Sequence, residues 1–221
     1  RRSTPSFYND CVKLKVKGNR VLLEKIGWVK TNEPLPVDCK YYNPRIKFDG
    51  KYWYLTVGIE VETEKSVLDG RIVGVDVGIR ELAVTSDGVF YENINKTASV
   101  RKVEKRLKRL QRRASKKYKK GTLKSKHLLK LEGKIRKHHR RLVNIRTNHV
   151  HQATAEIVKS KPFRIVMETL NIRGMMKDKH LAKAVANQKL YFFKQCLQYK
   201  CELHGIEFVE ADQWFPSSKL C

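Results

Sequence analysis

The sequence predicts an α/β protein in two parts: a small all-β unit over residues 1–69, then a unit of strands and helices interrupted by a long basic helical hairpin. Three observations carry this. Apolar and polar residues alternate with a period of two in "CVKLKVK" (11–17) and "RIKFDGKYWYLTVGIEVE" (45–62), as half-buried strands do. A second set of strands opens at residue 71 with "RIVGVDVGIRELAVTSDGVF". Between 98 and 160 the apolar residues change to a three-four spacing, the period of an amphipathic helix.

In the first unit, Val12, Leu14 and Val16 alternate with Lys13, Lys15 and Lys17, and Gly18-Asn19 offers a turn into Val21, Leu22 and Leu23, predicting a hairpin with a basic face. Asp49-Gly50 marks a second turn, after which Trp53, Leu55, Val57, Ile59 and Val61 share a face. A small barrel or sandwich is expected. Tyr41, Tyr42, Tyr52 and Tyr54 lie among Lys and Arg; they are either stacking platforms for single strands or RNA, or ordinary core and rim aromatics.

From residue 71, Ile72, Gly74, Asp76 and Gly78 should point to one side of a strand and Arg71, Val73, Val75 and Val77 to the other. The Asp87-Gly88 turn closes another hairpin, so three consecutive antiparallel strands are expected. Next, Val100, Val103, Leu107, Leu110 and Ala114 predict one helix ending at Gly121, and Leu128, Leu131, Ile135, Leu142, Ile145, Val150, Ala153 and Ile157 a second, with Ser125 as its cap. Two long helices joined by a short loop pack antiparallel. Pro162 ends the second helix. "FRIVMETLNIRG" is then a strand ending in Glu168, a single helix carries Leu181, Ala184, Tyr191, Phe192, Cys196, Leu197 and Leu203 to a stop at Gly205, and "IEFVEA" is the last strand.

Composition narrows the partners. The 48 Lys and Arg exceed the 22 Asp and Glu by +26, far beyond the magnitude of about 2 to 8 that serves solubility in a small domain. A polyanion is the natural relief for such repulsion. Membrane partners are disfavoured, because no apolar run is long enough to span a bilayer and the basic helices lack the Trp- and Phe-rich face of an interfacial anchor. With no secretory signal, a soluble intracellular protein is expected. The five cysteines, Cys11, Cys39, Cys196, Cys201 and Cys221, form no paired framework and read as reduced thiols; Cys196 and Cys201 are simplest as core packing. A start at Arg1 without Met and a stop at Cys221 point to a piece of a longer polypeptide.

Nucleic acid is the expected polyanion. Between 97 and 147 the only acids among the many Lys and Arg are Glu104 and Glu132; solvated helix faces normally mix signs, so this face reads as a phosphate-contacting ridge. Its candidate binding residues are Arg101, Lys105, Arg109, Arg112, Arg113, Lys116, Lys117, Lys134, Arg140 and Arg141, joined from the β unit by Lys13 and Lys15, with His138 and His139 part of the same ridge. His149 and His151, two apart on a helix, face different ways and are not expected to share an ion; His151 suits packing.

Asp76 and Glu168 are the candidate catalytic pair, each a lone acid in a strand of Val, Ile and Met. Brought to one sheet edge they repel, which a divalent cation relieves, and carboxylate oxygens suit Mg²⁺ or Mn²⁺. Two such ions about 4 Å apart can stabilise the attacking water and the leaving 3′ oxygen of a phosphodiester. Glycine weakens a strand and often marks the close approach of a ligand, so Gly74 and Gly78 leave room for the metal and a sugar-phosphate backbone. Asp212, which also follows a strand, is a less favoured further acid.

"GVDVGIRELAVTSDG", the basic hairpin with "RLVNIRTNHVHQ", "VMETLNIRGMM" and "WFPSSKLC" together resemble the TnpB (OrfB) proteins of insertion sequences, transposon-associated RNA-guided DNA endonucleases related to the miniature type V CRISPR effectors. The resemblance covers residues 70 to 221 closely and 1 to 69 loosely, through "GWVKT" (27–31). It implies a wedge-like β-barrel portion over 1–69, an RNase H-like (RuvC-like) mixed sheet over 70–213 with the hairpin 98–160 inserted, and the start of a zinc ribbon at 214–221. It further implies guide RNA and target DNA as partners, Mg²⁺ at Asp76 and Glu168, Zn²⁺ in the complete protein with Cys221 as its first ligand, and a prokaryotic cytoplasmic, nucleoid-associated setting. The family's other ribbon cysteines and third metal-binding Asp, which follow the position of Cys221, are absent from this sequence. One thiol cannot hold a structural zinc, so these 221 residues alone are expected to cleave little or no DNA, and Asp212 aligns with a structural position. Two rivals are another RNase H-fold enzyme, a transposase or junction resolvase, and a non-catalytic basic nucleic-acid-binding protein.

Overall fold

The computed structural model describes residues 6–61 and 67–211, in two compact units, Arg1–Glu62 and Thr63–Cys221. In the first unit the strands are β1 (Ser6–Tyr8), β2 (Lys15–Lys17), β3 (Arg20–Leu23), β4 (Gly27–Lys30), β5 (Tyr42–Phe48) and β6 (Trp53–Gly58). They form two three-stranded antiparallel sheets, ordered β1-β5-β6 and β2-β3-β4, around a small core of Leu14, Val21, Leu23 and Ile46. The predicted strand over 11–17 is shorter than expected. Val12 stands in a turn and is 87% exposed, because the Asp10 side chain accepts its N–H at 2.9 Å and bends the chain before β2. Ile59 and Val61 likewise lie past the end of β6 and are exposed.

The second unit is built on one five-stranded sheet of β7 (Asp69–Val77), β8 (Ala83–Thr85), β9 (Phe90–Tyr91), β10 (Pro162–Glu168) and β11 (Glu207–Ala211), in the order β11-β10-β7-β8-β9. The β7-β8-β9 meander is antiparallel, as expected, with Gly88 at φ +79° in its second turn. Strands β10 and β11 join in parallel on the other side of β7, and parallel neighbours need long crossovers. The first crossover is the hairpin of α1 (Ala98–Lys117) and α2 (Lys126–Lys159). Ser125 caps α2, its hydroxyl accepting the Leu128 N–H at 3.3 Å, while α1 ends four residues before Gly121. The second crossover contains α3 (Ile172–Met175), α4 (Ala182–Gln188) and α5 (Leu190–His204).

The single helix predicted between Leu181 and Gly205 is therefore two helices, broken at Lys189, whose φ of +58° is left-handed. The break changes the phase of the apolar face. Tyr191, expected inside, is 59% exposed, whereas Val185, Leu190, Phe193 and Cys201 are buried. Its cause is tertiary: Gln188, the last residue of α4, turns its buried amide onto backbone carbonyls after β7. Gly205 ends α5 as expected, at φ +69°.

The core lies on one side of the sheet. Val73, Val75 and Val77 of β7 and Ile165 and Met167 of β10 pack there against Val150, Ala153 and Ile157 of α2 and Phe193, Leu197 and Cys201 of α5. At about 25 cal/mol per Å² of apolar surface, that interface is the main reason the crossovers return to the sheet. Ile72, Asp76, Phe90 and Glu168 stand exposed on the opposite side. Among the described residues no helix is long and apolar enough to cross a membrane.

Candidate active site and cationic hairpin

The alternation read along β7 is realised: Val73, Val75 and Val77 are buried, and Ile72, Gly74 and Asp76 face outward. Strand β10 alternates likewise, with Ile165 and Met167 buried and Glu168 exposed. Parallel pairing aligns Val166 with Gly74 and Met167 with Val75. One residue further along both strands are Glu168 and Asp76, which are therefore lateral neighbours on the open face of adjacent strands, about 4.8 Å apart at the backbone.

Among the described residues neither carboxylate has an ion-pair or hydrogen-bond partner. A Cβ built on Gly74 would meet the Ser86 Cβ at 3.7 Å, and one on Gly78 the Glu81 carbonyl at 3.7 Å, both ordinary contacts. The protein's own packing thus tolerates a side chain at either position; Gly74 keeps the face beside Asp76 low, while Gly78 stands just past the end of β7. Two unpaired, adjacent carboxylates over such a floor fit a hard divalent cation. Among the described residues no group of three or more His, Cys, Asp or Glu is arranged to hold a metal, so the acids stand as a pair. Asp212 and Cys221 lie outside the described residues.

Three side chains that sequence reasoning missed hold the loop following Asp76. Asn93 Nδ2 donates to the Ile79 carbonyl at 2.7 Å, Lys96 Nζ to the Arg80 carbonyl at 2.6 Å, and Gln188 Nε2 to the Gly78 carbonyl at 3.2 Å. Gln188 also accepts from Asn95, whose side-chain oxygen takes the Arg146 Nε–H at 2.7 Å, and Arg146 pairs with Glu104 at 2.7 Å. A continuous polar chain so joins α1 and α2 to the carbonyl two residues beyond Asp76. Its signal in the sequence was a glutamine three residues after buried Val185, on an otherwise apolar helix stripe.

The acid-poor hairpin is cationic along its length. Arg101, Lys105, Arg109, Arg112, Arg113, Lys116 and Lys117 on α1 and Lys134 and Arg141 on α2 are exposed, while Arg140 is half-buried and has a partner. Both acids are engaged, Glu104 by Arg146 and Glu132 by Lys124. In the first unit Lys15 is exposed and Lys13 pairs with Glu24 at 2.7 Å. His139 lies 3.4 Å from Gln111, and His149 meets the Glu92 carbonyl at 2.8 Å. His151 packs edge-to-face on Phe192, 5.4 Å between centroids, with Nδ1 3.8 Å from the Cys196 thiol. Burial, then the Lys200 and Lys189 charges, hold its pKa below the ordinary imidazole value.

Residues 56–179 match the OrfB_IS605 family, described as a probable transposase. The chain is 29% identical over 194 residues to an RNA-guided DNA endonuclease so named in Streptomyces pristinaespiralis, covering 87% of this chain and 46% of the relative. It is 32% identical over 172 residues to InsQ of Escherichia coli K12 (77% and 41%) and 34% identical over 157 residues to Rv2885c of Mycobacterium tuberculosis H37Rv (67% and 33%), both bearing the same description. The chain thus spans less than half the length of each. Among solved structures, the fold is similar to a chain of the Cas12f1-sgRNA-target DNA complex, with a TM-score of 0.50 and 19% identity over 79% of this chain and 36% of that one.

Proposed function

The chain belongs to the OrfB_IS605 family, and from that premise we propose that it is the nuclease portion of a transposon-type, RNA-guided DNA endonuclease. The five-stranded unit is read as an RNase H-like (RuvC-like) nuclease sheet and the first unit as part of a wedge-like barrel. The observation that carries the reading is the register that sets Glu168 beside Asp76 on the open side of the sheet.

Asp76 and Glu168 hold the metal, and Gly74 and Gly78 leave their face low enough for a sugar-phosphate backbone to lie against it. Magnesium or manganese bound there supplies Lewis-acid stabilisation of charge on the scissile phosphate. Asn93, Lys96 and Gln188 fix the loop beyond Asp76 and so its carboxylate's position. The hairpin cations neutralise phosphates, while base pairing with a guide selects the target. With two carboxylates and no complete zinc site among them, these 221 residues by themselves should cleave little or no DNA.

The test is cleavage of a guide-matched DNA by the full-length protein with its co-purifying RNA and Mg²⁺. Asp76→Asn or Glu168→Gln should lower the rate by about 10²- to 10³-fold, the scale of losing a main electrostatic contributor. Cutting that survives RNA removal would mark a guide-independent transposase or resolvase, full activity in both variants would remove Asp76 and Glu168 from the catalytic site, and binding without any cleavage by wild type would leave only a nucleic-acid-binding role.

A further inference from the structure

The seam between α1 and α2 is not apolar throughout. On α1 the inward positions are Val100, Val103, Leu107 and Leu110. On α2 the sequence Leu128, Leu131, Ile135, Leu142, Ile145 keeps a three-four spacing only if residue 138 is counted, and that residue is His138, half-buried opposite Leu110. Where an apolar side chain would close the seam, the helices instead enclose an open cleft of about 470 Å³. That is within the range of about 300–1,000 Å³ for ligand sites and far larger than one ion.

Its walls are cationic from both sides. Arg106, Arg109 and Arg113 form one stripe of α1, and Lys134 and Lys137 face them from α2. Among the described residues none of the five has a hydrogen-bond or ion-pair partner and no acid lines the cleft. Like charges facing each other across a cleft are destabilising unless an anion lies between them. From Arg106 to Arg113 the α1 stripe runs seven helical rises, about 10 Å at 1.5 Å per residue, long enough to meet more than one phosphate of a strand.

We propose that the α1–α2 cleft is a slot for the sugar-phosphate backbone of one nucleic-acid strand, with His138 as a wall whose protonation tightens binding. The proposal deepens the nucleic-acid reading above and rests on it. The cleft lining sets His138 among Arg106, Arg109 and Arg113 of α1 and Lys134 and Lys137 of α2, and the Arg141 charge acts on it from its own helix. Burial, then Arg106 and Arg141, hold its pKa below the ordinary value. A phosphate beside it favours the charged ring and raises that pKa, so by linkage the slot binds more tightly as pH falls.

The experiment is fluorescence anisotropy of a labelled single-stranded 20-mer, as DNA and as RNA, with the intact 221-residue chain over a salt series at about pH 7.5 and 5.5, either side of the usual imidazole pKa. Wild type should bind up to about tenfold more tightly at the lower pH, the limit for a pKa rise of one unit. His138→Leu, which fills the seam, should erase that ratio, and Arg106→Gln with Lys137→Gln should reduce the salt slope by about 2. An unchanged pH ratio in His138→Leu, with loss of binding only in the outward pair Lys105→Gln and Arg112→Gln, would overturn the slot and leave the nucleic-acid reading standing. No binding by wild type would overturn both. Should His138→Leu fail to fold by circular dichroism, the His138 resonance of wild type decides: its pKa rises on adding the oligonucleotide, or the slot is refuted.

Discussion

Glu168 stands beside Asp76 because the register pairing Met167 with Val75 runs on by one residue, and the burial of Met167 and Val75 forces the next residue of each strand to the open face. Two carboxylates from segments far apart in sequence thus share one patch of sheet, and among the described residues neither has a cationic partner.

That adjacency has a signature in stability. In metal-free buffer the acids repel by about 1 kcal/mol at about 5 Å in water, so Asp76→Asn or Glu168→Gln should leave Tm unchanged or raise it slightly. Millimolar Mn²⁺ should raise the Tm of wild type, by ligand linkage, and that of neither variant. A scanning-fluorimetry series with and without Mn²⁺ reads both effects.

Gln188 is 3% exposed and serves the Gly78 carbonyl. Gln188→Ala leaves that half-buried acceptor short of a donor, at a cost of about 1 kcal/mol. Urea unfolding should show the lower midpoint, and amide exchange at Gly78 should quicken, since the Gly78 N–H donates to the Leu82 carbonyl across this loop.

Gly174 lies under its own cap. The Asn171 side chain accepts the Gly174 N–H at 2.9 Å, and a Cβ at 174 would come within 2.7 Å of Asn171 Nδ2. Gly174→Ala should therefore destabilise wild type by about 1 kcal/mol through the lost cap. In an Asn171→Ala background the same change should stabilise, by the ordinary helix preference for Ala. Denaturation of the four proteins in this cycle tests the reversal of sign.

Acid should weaken the fold through His151 and His138. Both have folded pKa values below the unfolded one, so the unfolded chain binds more protons and stability, complete above about pH 6.5, falls as pH drops toward the lowered folded values. Melting across that range should show the loss, and His151→Gln should make it shallower.

The thiols should separate into classes. Burial pushes Cys201 up to about 12 and Cys196 above its ordinary value, and only thiolates react readily. In native protein Cys11 and Cys39 should be alkylated first, with Cys196 and Cys201 reacting only on unfolding. Peptide mass spectrometry after timed alkylation distinguishes them.

The sequence by itself determined what depends on neighbours along the chain. The alternation around Asp76, the Asp87-Gly88 turn, the Ser125 cap, the Gly205 stop and the acid-poor hairpin are all local patterns of period, turn chemistry and charge, and they were legible before any fold was known. Only the tertiary structure decided which distant groups meet. Pairing of β10 with β7 made Asp76 and Glu168 neighbours. The pull of loop carbonyls on Gln188 broke one predicted helix into two, and the packing of α1 on α2 opened a cleft at His138. Each of these turns on long-range partners, for which periodicity carries no signal, because a side chain's preferred face is local whereas its hydrogen-bond partner is not.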